Sequence, residues 1–196
     1  MKSIFGVTAV LLLSVILCGC AKKSSVFEEP TIEICSDGSI LRTMVESFDK
    51  PYYDVEELKT EYERALSDYN SGSNPGKVSL NDIHALDKEV FISLEYENCE
   101  AGSAFDGCEL FWGSVQNASA GGYFEDTTLK GVKDAQLVEG FDAAKLNDKN
   151  VFVTDESGIV IFPKNVIYVS ANVEVLSDKE VRISSDSSGL AVIVTE

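Results

Sequence analysis

The side chains able to do chemistry are unevenly supplied: one histidine, five cysteines and 33 carboxylates in 196 residues. A Ser-His-Asp or Cys-His site would have to use His84, because an activated nucleophile needs a base beside it. His84 sits between two expected strands with no motif around it and reads as an exposed loop residue. HExxH, CxxC and paired His/Cys spacings are missing, so no metal ligand is assigned. Gly121-Gly122 neither follows a strand of a βαβ unit nor precedes Lys-Ser/Thr, so no phosphate loop and no cofactor are assigned. The turns Asn147-Asp148-Lys149-Asn150 and Asp155-Glu156-Ser157-Gly158 carry the oxygen donors that Ca²⁺ takes. Neither fits the EF-hand spacing, and both are read as turns.

Asp106 and Glu109, beside Trp112, are the carboxylates to test for glycoside hydrolysis, which needs two acids flanking a bond and uses an aromatic platform. A chain this acidic produces such neighbours by composition alone, and no catalytic residue is assigned. Tyr52, Tyr53, Phe105, Phe111, Trp112, Tyr123 and Phe124 form an aromatic set, of which Phe111, Trp112 and Tyr123 are the candidate contacts for a glycan or protein ligand. Core packing is the other use of such rings. Cys99 and Cys108 are expected to form a disulfide closing a short loop, adding about 2–3 kcal/mol in the chain-entropy picture. Cys35 is left over, and three buried thiols are the alternative.

The N-terminus has the parts of an export signal: Lys2, an apolar run from Ile4 to Leu17, and a small residue before Cys20. Leu17-Cys18-Gly19-Cys20 resembles the lipobox of bacterial lipoproteins. The resemblance implies cleavage after Gly19 and lipid on Cys20, which becomes the membrane attachment. The apolar run is shorter than the roughly 20 residues a spanning helix needs. The expected organisation is a signal peptide over 1–19, a lipid-proximal tether over 20–30 and a single domain over 31–196, divisible into 31–98 and 99–196. At about 3.3 Å per residue the tether keeps the domain within roughly 35 Å of the bilayer, on the extracytoplasmic face of the cell membrane.

The formal charge is −17, and removal of Lys2 with the leader makes the mature chain more acidic still. Nucleic acid is excluded as a partner, because its binding draws on counterion release by basic residues. The hydrophobic fraction of 44% is that of a globular chain, so the acidity does not signal disorder.

Asp37-Gly38 between two apolar segments predicts a hairpin over Thr31–Val45. Asp54 with Glu57 forms a capping box, and Val55, Leu58, Tyr62, Leu66 and Tyr69 make one helical stripe up to Asn70-Ser71-Gly72. Strands at Lys77–Leu80 and Glu89–Tyr96 follow, then short helices over Ser103–Gly113 and Val115–Ala120. From Asn150 six short strands separated by turns suggest an antiparallel meander. The expected fold class is α+β: an N-terminal ββαββ unit with one long amphipathic helix on an antiparallel sheet, followed by a β-rich antiparallel C-terminal half. Asp49-Lys50-Pro51-Tyr52-Tyr53-Asp54, Glu109 to Val115 and Pro163 to Ser170 resemble a group of uncharacterised acidic lipoproteins of Gram-positive bacteria. That resemblance implies an anchored, acidic, α+β protein and transfers no catalytic residue. The functional expectation is a non-catalytic binding or envelope-associated module. A glycan-acting hydrolase using Asp106 and Glu109 is the alternative.

Overall fold

The computed structural model of the chain describes residues 29–124, 127–138, 146, 148–186 and 189–196. The expected leader, Cys20 and most of the expected tether lie outside the described residues.

Asp37 accepts from the backbone and hydroxyl of Ser39, and Gly38 takes φ 91°, which turns the chain between β1 (Thr31–Ile34) and antiparallel β2 (Ile40–Ser47). Helix α1 (Val55–Ser71) starts at Asp54, whose carboxylate accepts the amides of Glu56 and Glu57. Strands β3 (Val78–Leu86) and β4 (Glu89–Tyr96) then form a long antiparallel pair with an irregularity between Leu80 and Asp82. His84 lies on β3 rather than in a loop; its ring stacks on Phe91 at 5.2 Å and its Nδ1 is 2.8 Å from Asp82.

Helix α2 (Cys99–Asp106) is capped by Asn98 and ends at Gly107, with φ 73°. Phe111 and Trp112, expected in a helix, stand on strand β5 (Leu110–Ser114), which runs into the short helix α3 (Val115–Ala120). The remaining strands are β6 (Leu129–Lys133), β7 (Gln136–Val138), β8 (Asn150–Thr154), β9 (Gly158–Ile161), β10 (Val166–Ser170), β11 (Val173–Ser177), β12 (Glu180–Ile183) and β13 (Ala191–Thr195).

These strands form two sheets, one of seven strands in the order β11-β12-β9-β1-β2-β4-β3 and one of six in the order β5-β8-β13-β10-β6-β7. The protein is therefore mainly β, and the α+β expectation is corrected. The first sheet is not antiparallel throughout, because β1 pairs in parallel with β9. Nor do the C-terminal strands form a meander: β9, β11 and β12 extend the first sheet, while β8, β10 and β13 build the second. The two sequence halves are interleaved.

The physical reason lies in what covers the first sheet. Ile32, Ile34, Ile40, Ile92, Leu94, Val160 and Val181 share one core with Phe152, Val169, Ala191 and Ile193 of the second sheet, so sheet-on-sheet packing replaces the expected helical cover. Helix α1 is peripheral: Leu66 is its one fully buried residue, and its stripe closes only the β3 side of the core. The second sheet is buried on both faces. Val151, Val153, Val192 and Val194 pack on the far side against Val115, Ala118 and Leu146. Hence Val151-Phe152-Val153 and Ala191 to Val194 are unbroken apolar runs, as doubly covered strands require.

Candidate functional site

Residues directly opposite in an antiparallel pair share a face. Ile40, Arg42, Met44 and Glu46 of β2 lie opposite Tyr96, Leu94, Ile92 and Val90 of β4, all four of which are buried. Two charged side chains, Arg42 and Glu46, are thereby carried on the inward face of the sheet, close to α1 and α2.

Arg42 is the centre of a nearly enclosed network. Its guanidinium donates to Asp106 Oδ2 at 2.6 Å and to Glu156 Oε2 at 2.5 Å, and lies 3.5 Å from the Cys108 sulfur. The Arg42 and Asp106 side chains are 11% and 14% exposed. Asp106 ends α2, where the negative pole of the helix disfavours a carboxylate, and Arg42 offsets that charge. The Tyr96 hydroxyl donates to the same Asp106 oxygen, and burial, then the Asp106 charge and this hydrogen bond, push the phenol pKa well above its usual range. Burial alone would make Arg42 easier to deprotonate, but the surrounding groups outweigh it and raise its pKa. Glu156 comes from the β8–β9 turn, where its amide donates to Thr154 Oγ1.

Cys108, Asp155 and Glu156 bring one donor atom each within 4.8 Å of one another, an arrangement the sequence reading did not find. Its fit to a metal ion is poor. Glu156 is held by Arg42, Asp155 Oδ1 accepts the Glu109 amide at 2.8 Å, and burial pushes the Cys108 thiol up to about 11, so its sulfur keeps its proton at neutral pH. The Arg42 guanidinium already supplies the positive charge beside Glu156.

On the same inward face, towards the N-terminus of α1, a hollow of about 490 Å³ opens to solvent. Val90 and Ile92 line it from β4, Leu58 and Tyr62 from α1, and Phe48, Tyr52 and Tyr53 from the segment joining β2 to α1. Phe48 and Tyr53 pack with ring centroids 5.0 Å apart, and Tyr52 stands edge-on to Tyr53 at 5.1 Å. Tyr52 is 73% and Tyr53 43% exposed, unusual for large rings that have a core beside them. Glu46, Asp54, Glu57 and Glu61 also line the hollow. Tyr62 links it to the Arg42 network: burial, then the charges of Asp106 and Glu46, raise its phenol pKa.

The residues singled out from sequence are dispersed. Phe111 and Trp112 are neighbours on β5 and point to opposite faces. Phe111 packs with Tyr123 at 5.0 Å beside the outer core of the second sheet, whereas Trp112 lies 6.1 Å from Phe162 in the core between the sheets. Neither residue lines the hollow by α1. Asp106 and Glu109 belong to separate networks, the first with Arg42 and Tyr96, the second accepting from the Tyr123 hydroxyl. That hydrogen bond to Glu109, more than burial, pushes the Tyr123 phenol up to about 12. Cys99 and Cys108, the expected disulfide partners, are both free thiols, and burial pushes Cys99 up to about 12.

Sequence reasoning missed Arg42, Glu46 and Phe48. The usable signal was the alternation Ile40, Arg42, Met44, Glu46, which places two charges in phase with two apolar residues. The chain matches no protein-family model, no curated protein and no solved structure.

Proposed function

We propose that the protein is a lipid-anchored, extracytoplasmic, non-catalytic binding module, attached to the cell membrane through Cys20 and taking its ligand in the hollow beside α1. The observation that carries the binding reading is the exposure of Tyr52 and Tyr53 at the mouth of a hollow of about 490 Å³. Volumes of about 300–1,000 Å³ are those of ligand sites, and aromatic side chains with a few polar groups are their usual lining. The ligand site thus moves from Phe111, Trp112 and Tyr123 to Tyr52 and Tyr53. Attachment rests on the lipobox residues Leu17-Cys18-Gly19-Cys20. Two or more acyl chains hold a protein on a bilayer far longer than one.

Peptide and glycan arrays probed with the full-length protein in neutral detergent test the binding half. A captured ligand released by the double substitution Tyr52→Ser and Tyr53→Ser supports it. Capture indifferent to both substitutions refutes the site. Palmitate labelling tests the anchor, which is wrong if Cys20→Ala labels as strongly as the parent.

A further inference from the structure

Glu46, Asp54, Glu57 and Glu61 all line the hollow of about 490 Å³, and no lysine or arginine does. Asp54 is committed to the α1 cap and Glu61 pairs with Arg64. Glu46 and Glu57 have no ion-pair partner among the described residues. A second hollow of about 390 Å³ continues along α1, sharing Leu58, Glu61 and Tyr62 with the first and adding Ala65, Asp68 and Phe105. Arg64, the only base lining either hollow, is the one already held by Glu61.

From Asp54 to Asp68 the helix rises about 21 Å at about 1.5 Å per residue. A chain extended at about 3.3 Å per residue covers that length in about six residues. Apolar walls with acidic borders suit side chains that have an apolar stem and a cationic head, and exposed tyrosine faces add attraction for such a head.

We propose that the paired hollows along α1 bind an extended basic peptide segment of a partner protein, about six residues long, with lysine or arginine heads at Glu46 and Glu57 and the chain lying over Tyr52, Tyr53 and Tyr62. This rests on the reading of the hollow as the ligand site and adds the class of ligand. The overall acidity steers basic segments to the protein but does not place them. The carboxylates of Glu46 and Glu57 beside the exposed rings of Tyr52 and Tyr53 do that.

The test is fluorescence anisotropy with the full-length protein in neutral detergent, at salt low enough that the screening length is about 20 Å. The probes are three labelled hexapeptides in which valine alternates with lysine, serine or glutamate. The lysine peptide binds, and the Glu46→Gln/Glu57→Gln double variant weakens it about tenfold, as expected for two solvent-accessible charge pairs. Glu63→Gln/Glu95→Gln, the same change of net charge at exposed positions away from the hollows, stays within about twofold. Thermal melts confirm that all variants are folded. Equal weakening by the two double variants overturns the proposal, because it reports net charge alone. No binding of the lysine peptide overturns it too. If the serine or glutamate peptide binds as well as the lysine one and Tyr52→Ser/Tyr53→Ser releases it, the basic class is wrong while the ligand site stands. If the tyrosine variant changes no peptide's affinity, the site falls with it.

Discussion

Gly158 opens β9 with φ 122°, a conformation that L side chains rarely adopt. A Cβ built there would stand 2.3 Å from the Pro30 carbonyl oxygen and 3.1 Å from its carbon, and that oxygen is the acceptor for the Ile159 amide at 2.9 Å. Gly158→Ala must therefore displace backbone. The strained φ costs about 1–3 kcal/mol, and loss of the Ile159 to Pro30 hydrogen bond about 1 kcal/mol more. The expected loss is about 2–4 kcal/mol, or roughly 5–15 °C in melting temperature for a chain of this size. Gly107→Ala is the internal control: φ is 73° there, but nothing lies within 4 Å of the added methyl group. It should cost about 1 kcal/mol, the ordinary penalty of a left-handed non-glycine residue. Urea unfolding of both variants isolates the steric part, and equal losses would show that the β1–β9 contact imposes no such constraint. A second readout is amide exchange at Ile159, which should accelerate in Gly158→Ala and remain slow in Gly107→Ala.

Other perturbations address the Arg42 network, the cap and the thiols. Arg42→Met should cost about 3–5 kcal/mol in urea unfolding, because it leaves Asp106 charged and nearly buried; Arg42→Met/Asp106→Asn should be more stable than Arg42→Met, and the reverse order would discredit the network. Asp54→Ala removes the acceptor for two α1 amides and should cost about 1 kcal/mol, visible as lost helical circular dichroism. Burial raises the Cys108 thiol from its ordinary 9.0 to about 11 and Cys99 to about 12. The folded state thus keeps protons that the unfolded state releases, so the stabilisation is complete below pH 9.0 and is lost as pH rises towards 11–12. Unfolding midpoints should fall over that range, and less so in Cys99→Ala/Cys108→Ala. Alkylation of the two native thiols should be slow at pH 8 and accelerate above it, a prediction that rapid labelling at neutral pH would defeat.

What was legible in the sequence was local. The Asp37-Gly38 turn and the Asp54 cap depend on residues within three positions of one another, so their signals survive without tertiary information. Partner choice between strands is not local. The pairing of Thr31 with Ile159 links segments 128 positions apart, and no motif at either end announces it. The unbroken apolar runs in β8 and β13 did carry a message, burial on both faces, that was submerged by reading turns alone. A helix stripe tells that one face is covered, not how much of the core it covers; α1 contributes one fully buried residue, Leu66, while the opposing sheet contributes Phe152, Val169, Ala191 and Ile193 to the same core. At the candidate site, the rings around Tyr52 and Tyr53 were visible as composition. Their convergence with Glu46 needed the β2–β4 register. Phe111 and Trp112 misled because adjacent strand residues cannot share a face.

The position of β1 has a mechanical meaning. Among the described residues the chain starts at Glu29, where Arg182 of β12 grips the carboxylate at 3.0 Å, and passes through Pro30 directly into β1. That strand is flanked by β2 on one side and β9 on the other, midway in the seven-strand sheet. Tension applied to the N-terminal segment therefore runs along a strand bonded on both edges, loading two ladders in shear at once rather than peeling one open bond by bond. The hollow that holds Tyr52 and Tyr53 is lined from the sheet by β2 and β4, three and four strand spacings from β12 and so about 14–19 Å across the sheet. Force arriving at the grip on Glu29 is spread through the centre of the sheet before it reaches the tyrosines at that mouth.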